Sequence, residues 1–115
     1  MESIRQSKVA KLIQKELAEI FRSEARNLFN GAFITVTVVR LSPDMGLAKT
    51  YLSIMDKNAA AILKNVTLHV KEIRKRLGNK VGKQLRIVPE LVFYIDDSLD
   101  YAMKIEELLK TNKPK

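Results

Sequence analysis

Two β-branched runs flank the turn Ser42-Pro43-Asp44-Met45-Gly46, and together they read as a β-hairpin. In residues 32–41, AFITVTVVRL, Thr35 and Thr37 alternate with Ile34, Val36 and Val38, which is strand chemistry with one buried face. In residues 47–55, LAKTYLSIM, Ala48, Thr50, Leu52 and Ile54 fall on one face and Lys49, Tyr51 and Ser53 on the other. Proline presets φ in the turn, and Asp and Gly suit the positions after it. A lone hairpin is marginal in water, so the rest of the chain must cover its apolar face.

Residues 4–28 supply one cover. Val9, Leu12, Ile13, Leu17, Ile20 and Phe21 recur at helical steps, and Ser3 with Gln6 has capping-box spacing. Asn30-Gly31 ends this pattern, because both residues tolerate positive φ. After the hairpin, Asp56 or Asn58 can cap a second helix, whose stripe is Ile62, Leu63, Val66, Val70, Ile73, Leu77 and Val81. Gly78 and Gly82 weaken its last turns and are expected to break it. Residues 85–95, LRIVPELVFYI, read as a third strand, at an edge or bulged at Pro89, which cannot donate to a ladder. Asp96-Asp97-Ser98 then starts a last helix with Leu99, Ala102, Ile105, Leu108 and Leu109 as its stripe. The expected class is α+β: a three-stranded sheet, covered on one face by helices, with a long helical connection that permits a mixed sheet.

At 115 residues the chain suits one domain. It has no cysteine, no apolar run long enough to span a membrane, and an N-terminus (MESIRQSK) without the apolar core of a signal peptide, so a cytoplasmic location is expected. The net charge is +8, and its distribution is uneven. Residues 62–89 carry +7 of it, while residues 90–110 carry −4. Lys64, Lys71, Arg74, Lys75, Arg76, Lys80, Lys83 and Arg86 surround a single acid, Glu72. Lys64, Lys71 and Lys75 fall on one helical face by their seven- and four-residue steps, opposite the apolar stripe. Such a row suits the phosphates of a nucleic acid, whose counterions it would release. No Trp is present and the aromatics do not interleave with this segment, so the reading is of backbone and shape rather than of stacked bases.

Catalytic chemistry finds little support. His69 is the only histidine, no partner is placed beside it by sequence, and it reads as a surface or RNA-facing residue. Asp96, Asp97 and Asp100 read as a helix start rather than a magnesium site. Gly78-x-x-x-Gly82 is too short for a phosphate loop. No cofactor, metal or small-molecule substrate is therefore expected.

Two motifs carry a family resemblance. Val36-Thr37-Val38-Val39-Arg40-Leu41-Ser42-Pro43-Asp44-Met45, continuing to Ala48-Lys49-Thr50-Tyr51-Leu52-Ser53, resembles the hairpin of ribosome-binding factor A. Leu85-Arg86-Ile87-Val88-Pro89-Glu90-Leu91, followed by Phe93 and Asp96-Asp97-Ser98, resembles its third strand. The resemblance implies a type II KH-like domain, here residues 1–110; residues 111–115 read separately as a flexible basic tail. It implies a non-enzymatic factor, here expected to be a monomer, that binds the immature small (30S) ribosomal subunit and its 16S rRNA. Help in late maturation, 16S precursor processing and growth in the cold goes with it. The family's Ala-x-Gly kink aligns near His69-Val70-Lys71, where neither small residue stands. The residues expected at RNA are the eight cations above, with Arg40, Lys49 and His69 as weaker candidates. Two alternatives remain at this point: a general KH-like RNA binder not dedicated to the ribosome, and a module whose basic face meets an acidic protein.

Overall fold

The structure, a computed structural model, describes residues 3–29 and 31–96. The helix expected from Asp97 onward and the tail 111–115 lie outside the described residues. Helix α1 (Ile4–Ser23) begins as its sequence dictates: the Ser3 hydroxyl accepts the Gln6 N–H, and the Gln6 side chain accepts the Ser3 N–H. The helical pattern read over residues 4–28 divides at Glu24, and a single turn follows as α2 (Ala25–Leu28). Gly31, at φ 77°, turns the chain into β1 (Ile34–Leu41).

Strand β2 (Leu47–Ile54) pairs antiparallel with β1, from Ile34 opposite Ile54 to Leu41 opposite Ala48. In the hairpin loop the left-handed residue is Met45, at φ 59°, and not Gly46. The Asp44 carboxylate holds this loop by accepting the Ser42 hydroxyl at 2.6 Å and the Gly46 N–H at 3.0 Å. Those two donors, the hydroxyl first, hold its pKa below the ordinary value of 3.8.

The chain then forms α3 (Ala59–Leu68), α4 (Val70–Val81) and β3 (Glu90–Ile95). Asn58 stands at the start of α3 without a side-chain cap, while Asp56 accepts its N–H at 2.8 Å. Strand β3 lies parallel to β2, so the sheet is mixed, in the order β1-β2-β3, with β3 at an edge as Pro89 requires. It is shorter than the reading of residues 85–95. Residues 85–89 form an irregular connection, in which Leu85 and Val88 pack against the core outside the ladder while Ile87 is exposed.

Helices α1, α3 and α4 cover one face of the sheet, which makes the layered α+β arrangement of a KH-like domain. Ile13, Leu17, Ile20 and Phe21 of α1 meet Val66 of α3, Ile73, Leu77 and Val81 of α4, and Ala48, Leu52, Leu91 and Phe93 of the sheet. One departure from simple alternation matters later. The β1–β2 register shifts between Val36 and Val38, a β-bulge that turns Val38 to the open face and Val39 into the core. The carbonyls of Val36 and Thr37 at this bulge accept the Gln14 amide, at 3.1 and 3.2 Å, so α1 also seals part of the β1 edge.

Thr50 is fully buried at the middle of β2, and among the described residues its hydroxyl has no hydrogen-bond partner. An unsatisfied buried hydroxyl costs about 1–3 kcal/mol. Thr50→Val is therefore expected to raise stability by about 1 kcal/mol, read as a higher urea midpoint with unchanged slope.

Candidate nucleic-acid interface

The basic stretch of residues 62–89 is not one helix. It breaks at His69, whose ψ of 15° ends α3 and starts α4. The His69 N–H reaches the carbonyls of Asn65 and Val66, at 3.2 and 3.0 Å. Its Nδ1 lies 2.9 Å from the Asn65 carbonyl, which can only accept, so Nδ1 carries the proton. The ring stands edge-on to Phe29 at 6.1 Å, and Asn65 donates to the Leu28 carbonyl at 2.6 Å. His69 thus braces the kink, half-buried, within the stretch where the resemblance implies one.

The break expected at the glycines does not occur: α4 runs through Gly78 to Val81, because propagation is favoured once a helix is packed along one face. Gly82 has a different role. A Cβ there would lie 2.6 Å from the Gly78 carbonyl oxygen, so only glycine allows this close end to α4.

The kink divides the expected cationic row. Lys71 and Lys75 are one turn apart and exposed on α4, but Lys64 belongs to α3, so a helical step no longer relates it to them. The eight cations separate into two sets. Arg74 donates to the carbonyls of Pro89 and Val88, at 3.2 and 2.8 Å, and pins the connection into β3. Arg76 pairs with Glu24 at 2.6 Å and with Glu72 at 3.1 Å. Lys80 sits 3.6 Å from Glu16 and 3.4 Å from Glu19. These three serve the fold: Arg76 and Lys80 bind α4 to α1 and its C-terminal cap.

Lys64, Lys71, Lys75, Lys83 and Arg86 are exposed and hold no hydrogen bond or ion pair among the described residues. Lys71 and Lys75, with Arg74 and Val88, line a shallow depression of about 280 Å³. It is open and cationic, which suits phosphates and gives no enclosure for a reacting group. Among the described residues no group of three His, Cys, Asp or Glu could hold a metal ion, and no helix is long and apolar enough to cross a membrane.

Arg40 and Lys49 are not part of this strip. They face each other across β1 and β2 on the open side of the sheet. Beside them lies a feature that sequence reading missed: Tyr51 and Tyr94 are stacked, with ring centroids 5.4 Å apart. The parallel register that joins them spans residues far apart in the chain, so no local pattern announced it.

Comparison with known proteins decides the family. The profile of "Ribosome-binding factor A" matches residues 5–109. The chain belongs to the ribosome-binding factor A family. It is 56% identical over 112 residues to the ribosome-binding factor A of Cytophaga hutchinsonii, covering 95% of this chain and 83% of that one. It is 41% identical to that of Chlorobaculum tepidum, over 97% and 93% of the two chains. The crystal structure of ribosome-binding factor A from Thermus thermophilus shares the fold, with TM-score 0.67 at 20% identity over 78% of this chain and 94% of that one. A homology model of the Thermus thermophilus factor, fitted into a cryo-electron microscopy map of a 30S complex with ribosome-binding factor A, matches with TM-score 0.62 at 25% identity, over 76% and 91% of the chains.

Proposed function

We propose that this chain is a non-catalytic, monomeric, cytoplasmic assembly factor that binds the immature 30S subunit through its 16S rRNA, aiding late maturation and precursor processing. The observation that carries this reading is the set of exposed, unpaired cations on and around α4: Lys71 and Lys75, with Lys64, Lys83 and Arg86. Evenly solvated charge would not leave one acid among eight cations, nor divide them into braces and outward-pointing side chains. Family membership supports the ribosomal partner, and the Thermus relative fitted into a 30S complex supports the small subunit in particular. Arg and Lys in such a row neutralise phosphates without reading bases, which fits a folded rRNA surface.

Sedimentation tests this reading. The protein is expected to travel with free small subunits and precursor particles but not with mature ribosomes. Binding should weaken steeply with salt, by about 0.7–0.9 log units per decade for each phosphate contacted. Equal affinity for any structured RNA would assign the chain to general RNA binding instead. Binding that survives nuclease digestion of the particle would point to an acidic protein.

A further inference from the structure

The open face of the sheet is built in two rows. Val38, Tyr51 and Tyr94 are cross-strand neighbours and form one row; Arg40, Lys49 and Val92 form the next. The rows are two residues apart along the strands, about 6.6 Å. Val38 and Val92 are each 36% exposed and Tyr94 is 42% exposed, on the edge strand with its ring stacked on Tyr51. Val38, Arg40, Lys49, Tyr51 and Asp96 line a broad open depression of about 570 Å³. The β-bulge makes this surface. With unbroken alternation Val38 and Arg40 would share the core face of Val36, and the shift of one residue brings both to the open side. The bulge is held by Thr37, whose hydroxyl donates to the Asp96 carboxylate at 2.6 Å, and by Gln14 from α1.

We propose that this face is a second RNA site, a platform for a single-stranded segment, distinct from the cationic strip on α4. The inference rests on the RNA-binding reading above and adds to it. An exposed aromatic ring, Tyr94, stacked on Tyr51 and set beside a row of cations, matches the chemistry of unpaired nucleotides: a base stacks on Tyr94 and packs against Val38, and phosphates follow Arg40 and Lys49. A duplex has its bases already stacked and offers no ring face to such a row. Glu90 and Asp96 lie on the β3 side, two residues beyond Val92 and two beyond Tyr94 along the strand, and disfavour phosphates outside the two rows there.

The chain contains three tyrosines and no tryptophan; Tyr51 and Tyr94 stand on this face and Tyr101 lies outside the described residues, so emission is read in a Tyr101→Phe background to report on this face. The test titrates the full chain with a short single-stranded oligouridylate and, separately, with an RNA duplex of equal length. The oligouridylate is expected to quench tyrosine emission more strongly than the duplex. Tyr94→Leu, on an exposed edge-strand position, should fold and should weaken oligouridylate binding about tenfold or more, and Tyr94→Phe should restore it. Lys71→Glu with Lys75→Glu should keep the quenching while losing 30S association, which separates this site from the strip. Absent quenching, or equal binding by Tyr94→Leu, would overturn the platform even where 30S association is intact. Quenching that appears only after Ile105→Ser and Leu108→Ser would also overturn it, by assigning the face to residues 97–110 of the chain itself.

Discussion

Changing Lys64, Lys71 and Lys75 together to Glu is expected to abolish association with the small subunit while the protein still folds. The three side chains are exposed, and their removal breaks no hydrogen bond or ion pair among the described residues. Glu is nearly as good a helix former as Lys, and at position 71, in the first turn of α4, it suits the helix dipole better. The whole effect should therefore fall on binding. Three lost phosphate contacts should flatten the salt dependence by roughly two to three log–log units, and the new acids add repulsion. Arg76→Gln with Lys80→Gln should behave in the opposite way. It leaves Glu24, whose side chain is only 12% exposed, without its charged partner, and it loosens α4 from α1. About 1 kcal/mol or more of stability should be lost, with a smaller effect on association. Equal losses of association in the two variants would mean that the division into braces and phosphate contacts is wrong.

Phe21→Ala is expected to be the most destabilising single truncation. Phe21 is 1% exposed, with Phe29 at 5.3 Å and Phe93 edge-on at 5.9 Å, so it joins α1, the end of α2 and β3. Truncating a buried Phe costs about 3–5 kcal/mol, against roughly 5–15 kcal/mol for a whole domain. The thermal midpoint should fall by roughly 15 °C. Because Phe29 also buttresses His69, the kink between α3 and α4 should loosen in the same variant, visible as faster amide exchange near residue 69. A shift of only a few degrees would show that the cavity collapses and that the aromatic cluster contributes little.

Local patterns were legible where local chemistry decides. The capping box at Ser3 and Gln6 started α1 where spacing placed it, and the two hairpin strands fell within two residues of their readings. Features set by distant partners were not legible. Thr37 looks like any strand residue, and its bulge exists because Gln14 and Asp96 engage it from other elements. The break at His69 is held by Leu28 and Phe29 from another element; the local pattern points to the glycines instead, and only the family resemblance places a kink near residues 69–71. The apolar letters of residues 85–89 look like strand, yet Arg74 ties the Val88 and Pro89 carbonyls before the ladder begins. The candidate site divides in the same way. Its charge could be counted from sequence, but Glu16, Glu19 and Glu24, which claim Arg76 and Lys80, lie more than fifty residues earlier. The tyrosine pair depended wholly on parallel register.

The parallel pairing of β2 with β3 also governs how this protein is made. Strands β1 and β2 are adjacent in the chain and can pair as soon as both have been synthesised. The central strand must then wait with one edge unpaired until the whole of α3, α4 and the connection has emerged and Glu90–Ile95 can add. During that interval Ala48, Leu52 and their neighbours have incomplete cover, and an open strand edge invites pairing with another nascent chain. A chain that stops short of Glu90 is thus expected to aggregate rather than to form a smaller domain, and the yield of folded protein to depend on β3 arriving promptly.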